Sequence, residues 1–202
     1  PQTVNDEVLK TIGRKHTAQQ FFDAFELARK CGFDNINTDL IAGLPTDTPE
    51  SFKNSLDSIV RLNAECFTVH TLCMKRASRL TTEGVTLDLQ QARDAREMLA
   101  YTQNILGQNE YIPYYMYRQS RMVGNLENVG WSKKGFESLY NVYVMDETHT
   151  ILACGSGGVT KLKRNNPDYL ERIFNFKYPY EYIDRFDELI QRKSGIMQFY
   201  GQ

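Results

Sequence analysis

The stretch INTDLIAGLPTDTPESF, residues 36–52, decides the fold. An apolar run is broken by one acid, Asp39, and stops at Gly43, Leu44 and Pro45. Thr48 then supplies a helix N-cap and Pro49 suits the first helical position, while Phe52, Leu56, Ile59 and Val60 recur along one helical face. The spacing predicts a short strand over residues 35–41, a tight turn and an amphipathic helix.

The same alternation extends to both sides. Upstream, Asn5 can cap a short helix carrying Val8, Leu9 and Ile12 and stopped by Gly13. Thr17 and Gln20 form a capping box, and Phe21, Phe22, Phe25 and Ala28 follow at helical spacing until Gly32, which predicts a helix over residues 18–31. Downstream, residues 66–72 are rich in β-branched and aromatic residues and read as a second strand. Helices alternating with strands through short connections imply an α/β fold with a parallel sheet, open or closed into a barrel.

The second half changes character. A polar connection leads to a long helix capped by Asp88 and carrying Leu89, Ala92, Ala95, Met98, Leu99, Ile105 and Leu106. A tyrosine-rich run, YIPYYMYRQ, is followed by a loop containing Gly124, Gly130, Trp131 and Gly135. SLYNVYVMD and TILACGSGG then read as a strand pair turned at DETH, and the chain returns to amphipathic helix from Asn166. The expected division is residues 1–87 and residues 88–202, the latter a helix followed by an α+β region.

With 202 residues, of which 41% are apolar, the chain can bury a sizeable core. The 24 basic residues are balanced by 25 acids, which does not favour nucleic acid or a membrane surface as partner. Cys31, Cys66, Cys73 and Cys154 stand far apart, with neither a disulfide framework nor a local metal-binding spacing. No apolar run approaches the ~20 residues needed to span a bilayer, and a reducing cytoplasm is the expected compartment.

In parallel α/β sheets, ligands bind outside the carboxyl ends of the strands. Asp39 therefore has two readings: a ligand-facing acid, or an inward acid satisfied by a base or by backbone N–H groups. His70 would share a strand face with Thr68 and reads as a satisfied interior histidine. Gly155, Gly157 and Gly158 lack the spacing of a phosphate loop and read as a turn. Tyr111, Tyr114, Tyr115 and Tyr117, with Arg118 and Arg121, have two readings: a site for a carboxylated ligand, or a packed strand with polar tips.

The segment NTDLIAGLPTDTPESF resembles the strand-to-helix segment of the oxygen-independent coproporphyrinogen III oxidase family of radical S-adenosylmethionine (SAM) enzymes, N-x-D-L-I-x-G-L-P-x-Q-T-x-E-S-F, with Asp47 in place of the usual glutamine. PQTVNDEVLKTIGR resembles the preceding family segment and RLNAECFTVHTL the following one. SLYNVYVMDETHTILACGSGGVTKL is similar to the Gram-positive-type second form. The resemblance implies the later half of a radical SAM barrel followed by an α+β C-terminal region. It also implies SAM contacts at Gln2, Arg14 and Asp39, with backbone or apolar packing from Ile41 and Cys73.

That family uses a [4Fe–4S] cluster held by C-x-x-x-C-x-x-C, and the chain contains no such motif. The cluster ligands are therefore expected outside these residues, and the chain by itself is expected to be inactive. The implied substrate of the intact enzyme is coproporphyrinogen III, decarboxylated oxidatively at two propionates. A haem-binding or haem-transfer relative and another radical SAM enzyme are the alternatives. A partial barrel has exposed strand edges, which implies self-association.

Overall fold

Capping residues place the helices of this computed structural model, which describes residues 1–73, 89–118, 122–165 and 168–201. The Asn5 side chain accepts from the Glu7 and Val8 amides at the start of α1 (Asp6–Thr11). Thr17 and Gln20 close a reciprocal capping box on α2 (Ala18–Lys30), and the Thr48 hydroxyl accepts from the Ser51 amide to open α3 (Pro49–Val60). Each cap satisfies helix-end N–H groups that would otherwise lack a partner.

Between the helices run β1 (Asn37–Ala42) and β2 (Cys66–Thr71), paired in parallel with Asp39 opposite Thr68 and Ile41 opposite His70. The next helix, α4 (Leu89–Gln108), is followed by β3 (Ile112–Tyr117), a 3₁₀ turn (Val123–Asn125) and β4 (Asn128–Ser132). The sheet order is β1-β2-β4-β3, with both β4 contacts antiparallel. Gly130 and Trp131, expected in a loop, thus lie in a strand; Val129 and Trp131 alternate into the core while Gly130 faces the other way.

One face of the sheet is apolar. Leu40, Ala42, Phe67, Val69 and Trp131 pack with Phe52, Leu56 and Ile59 of α3 and with Met98 and Leu106 of α4. Leu89, expected on the apolar stripe of α4, is instead exposed at the helix start. Glu65 fastens the beginning of the sheet: it accepts from Arg29 at 2.8 Å and from the Ile36 amide at 3.0 Å. Burial alone would raise its pKa, but these donors outweigh burial and hold the carboxyl below its ordinary value. The fold holds the ionised form, so this contribution is complete above the ordinary glutamate value of ~4.3 and is lost as pH falls through the lower folded value. Glu65→Gln is expected to cost about 1–3 kcal/mol at pH 7 and to flatten the acid limb of stability, read from urea midpoints between pH 7 and pH 3.

Contacts divide the chain into two units, Pro1–Glu137 and Ser138–Gln202. The expected division at residue 87 falls among undescribed residues, as do the polar connection and Asp88. The helix that follows, α4, belongs to the first unit.

The second unit departs from the sequence reading. SLYNVYVMD forms α5 (Leu139–Asp146), which ends at Glu147 with φ 51°. TILACGSGG contributes only a single bridge, Ile151 to Lys161. The hairpin is made instead by β5 (Val159–Asn165) and β6 (Asp168–Phe174), so Tyr169, Ile173 and Phe174 lie on a strand where a helix was expected. Strand propensity reports fit to a partner surface. Here residues 159–165 take that partner, and residues 139–146 satisfy their backbone locally. Gly155 and Gly157, at φ 88° and 71°, make the turn before β5. Three short helices follow: α6 (Pro179–Asp184), α7 (Phe186–Lys193) and α8 (Gly195–Tyr200). No helix among the described residues is long and apolar enough to cross a membrane.

Candidate functional site

Because side chains alternate along a strand, the residues between those of the apolar face share the opposite face. Asn37 and Asp39 of β1, Thr68 and His70 of β2, Gly130 of β4 and Tyr115 and Tyr117 of β3 fall on it by register. This face is polar.

Asp39 sits at its edge, the third of six residues in β1. Asn37 Nδ2 donates to Asp39 Oδ1 at 2.7 Å, and His70 Nε2 lies 4.0 Å from Asp39 Oδ2. Burial pushes the Asp39 pKa up, but the nearby His70 ring and the Asn37 amide more than offset it, so the carboxyl sits below its ordinary value. At neutral pH this is an ionised acceptor with oxygen lone pairs to spare.

Gln2 borders Asp39 from the other side. Its amide donates to the Asp39 carbonyl and its carbonyl accepts from the Ile41 amide, both at 2.9 Å, as a parallel bridge to β1. Thr3 and Asn5 then tie the segment to Ser55 and Ser51 of α3. Gln2 carries two unusual features. Its φ of 79° is one that L side chains rarely adopt, and its Oε1 is buried without a hydrogen-bond partner among the described residues. Strain and an orphaned acceptor on one residue are the pattern expected where a ligand supplies the missing donor.

The other expected residues are placed as follows. Arg14 is exposed beyond α1, its amide donating to the Leu9 carbonyl at 2.8 Å. Ile41 is half-buried and packs with the apolar cluster of Val8, Leu44, Leu72, Ala95 and Val123. Cys73 bridges to Met122 just past the end of β2.

The tyrosine cluster is split by the fold. Tyr111 is buried behind the sheet, donating to the Ala64 carbonyl at 2.6 Å, and its pKa is pushed up to about 12, chiefly by burial. Tyr115 and Tyr117 alone join the polar face, with nearly parallel rings 6.3 Å apart. Tyr114 lines a cavity of about 650 Å³ with Leu99, Met116, Val129 and Trp131, and none of Gln2, Asp39, Ile41 or His70 lines it. Arg118 pairs with Glu127, and Arg121 lies outside the described residues. Asn37, Asn128 and the gap at Gly130 escaped the sequence reading. The i, i+2 repeat of polar residues at 37 and 39 was the available signal for Asn37.

With this geometry in view, comparison with known proteins becomes informative. The model of the radical SAM superfamily matches residues 1–59. The oxygen-independent coproporphyrinogen-III oxidase-like protein HemZ of Bacillus subtilis is 37% identical over 198 residues, covering 98% of this chain and 40% of that protein. The haem chaperone HemW of Lactococcus lactis is 32% identical over 174 residues, covering 82% of this chain and 41% of that protein. The solved structure of coproporphyrinogen III oxidase from Escherichia coli superposes with a TM-score of 0.65 at 19% identity, covering 93% of this chain and 42% of that one, a likeness of fold. The chain is thus similar to the oxygen-independent coproporphyrinogen III oxidase family of radical SAM proteins.

The chain spans about two fifths of the length of those relatives. The radical SAM superfamily implies SAM and a [4Fe–4S] cluster. The residues fit the first: the orphaned Gln2 oxygen and the ionised Asp39 are acceptors for a ligand rich in hydroxyl and amino donors. They do not fit the second. Among the described residues no three of His, Cys, Asp or Glu gather as a metal site, and the four cysteines do not form a C-x-x-x-C-x-x-C.

Proposed function

We propose that this chain is the SAM-binding later part of the barrel of a coproporphyrinogen III oxidase, which converts coproporphyrinogen III to protoporphyrinogen IX by oxidative decarboxylation of two propionates. The observation that carries the reading is the pairing of ionised Asp39 with the unpartnered Gln2 oxygen on one sheet edge. In this reading Asp39 and Gln2 accept hydrogen bonds from ribose hydroxyls, Arg14 pairs with the methionine carboxylate, and Ile41 and Cys73 supply packing beside them. When bound, SAM and the cluster supply one-electron hydrogen-abstraction chemistry. The chain's own residues orient SAM, and the cluster's cysteines come from outside these residues, so this chain alone does not turn over.

The tetrapyrrole, with its carboxylates, is the partner of the intact enzyme, and β3, the last strand of the sheet among the described residues, gives the isolated chain a route to self-association. The cytoplasm is the compartment that suits such an enzyme.

A second reading, haem binding or transfer, is favoured by the likeness to the Lactococcus haem chaperone over 82% of the chain. Anaerobic cluster reconstitution of the full-length protein separates the two. The oxidase reading expects 5′-deoxyadenosine formation that depends on added coproporphyrinogen III. Its absence, with stoichiometric haem binding, would support the chaperone reading instead.

A further inference from the structure

We propose that His70 is a positioning residue for Asp39, with Tyr117 fixing its tautomer, so that a relay across three strands sets the direction in which the carboxylate meets its ligand. The inference rests on the reading of Asp39 as a SAM acceptor, and it adds residues which that reading leaves unexplained.

The relay follows from proton accounting. The Asn128 carbonyl oxygen is taken by the Thr71 amide at 2.7 Å, which leaves the Asn128 amide group as the donor offered to its cross-strand partner Tyr117. The Tyr117 proton is then directed at His70 Nδ1, 3.4 Å away. A ring nitrogen that accepts leaves the other to carry the hydrogen, so His70 presents Nε2–H toward Asp39 Oδ2. The 4.0 Å separation is longer than a hydrogen bond, as such contacts often are before a ligand is bound.

The other side of the carboxylate is held in the same manner. Thr68 donates to Asn37 Oδ1 at 3.1 Å, and Asn37 donates to Asp39 Oδ1. With its only proton committed, Thr68 Oγ1 accepts from Tyr115 at 3.3 Å. Tyr115 stacks on Tyr117, which closes a ring of contacts across β1, β2 and β3. Asp39 Oδ1 thus accepts from Asn37 while Oδ2 faces His70 Nε2, and their remaining lone pairs are left for a ligand.

The test uses the full-length, cluster-reconstituted protein and equilibrium binding of SAM. His70→Phe keeps the ring volume without its polar atoms and is expected to weaken binding about tenfold. His70→Gln keeps a donor for Asp39 and is expected to lose no more than about threefold. In an Asp39→Asn background, His70→Phe is expected to cost almost nothing further, because the two act as one unit. Unchanged binding by His70→Phe, or a full additional loss in the Asp39→Asn background, would overturn the proposal.

A second readout needs no SAM and so separates failure of the relay from failure of the SAM reading. In ¹⁵N-histidine spectra of the metal-free full-length protein, the His70 ring is identified by the signals that vanish in His70→Phe. His70 is expected as the Nε2–H tautomer in the wild type and to lose that preference in Tyr117→Phe. Tautomer populations unmoved by Tyr117→Phe would overturn the relay whether or not SAM binds.

Discussion

Phe67→Ala is expected to destabilise the first unit by about 3–5 kcal/mol, among the largest losses available to a single side chain here. Phe67 lies in β2, between β1 and β4, opposite Thr38 and Trp131. It is fully buried, and its ring meets that of Tyr111 edge-on with centroids 4.9 Å apart. Truncation removes the transfer energy of a phenyl ring and leaves a cavity beneath the centre of the sheet. The surroundings cannot easily close it, because both flanking strands are pinned by ladder hydrogen bonds. Urea unfolding followed by tryptophan fluorescence reads the loss directly, since Trp131 is the single tryptophan and packs in the same cluster. A loss below about 1.5 kcal/mol, typical of volume-conserving changes, would contradict this packing.

Gly130→Val is expected to be the most damaging change on the polar face. A Cβ at position 130 would stand 1.8 Å from Tyr115 Cε1 and 2.3 Å from Cδ1, distances no relaxed structure tolerates. The tyrosine ring lies over the glycine as cross-strand partner, so one of them must move. If the ring swings away, its contacts with Thr68 and Tyr117 go with it, and the support of Asn37 for Asp39 is weakened. Overpacking of this kind costs about 1–3 kcal/mol, and a branched side chain lies at the upper end. The control is Tyr115→Ala. In that background Gly130→Ala is expected to be nearly neutral, because the obstructing ring is gone. If Gly130→Ala is equally costly with and without the ring, the glycine is needed for its backbone and not for the space it leaves.

Some of this was legible in the sequence for a definite reason. Asn5, Thr17 and Thr48 act within a few residues of themselves, so their caps could be read from local order, and the three helices fall where those caps predict. The parallel pairing of β1 and β2 followed from alternation with helices. Trp131 and the segment 139–146 were misplaced because strand formation depends on which partner is available, and that is settled by residues distant in sequence. Asp39 was legible through its motif. Asn128 was not, since it acts through register: it reaches Thr71 from a strand 57 positions away along the chain. Gly130 shows the same limit, because only its pairing with Tyr115 explains the missing side chain.

The proposed function makes Asp39 the acid that meets the cofactor. The most direct measurement is SAM affinity in the full-length protein after anaerobic cluster reconstitution, for the wild type and for Asp39→Asn. Asparagine keeps the shape and one acceptor oxygen but removes the charge. Binding is expected to weaken at least about tenfold with the unfolding midpoint unchanged. Equal affinity in the two proteins would contradict the account.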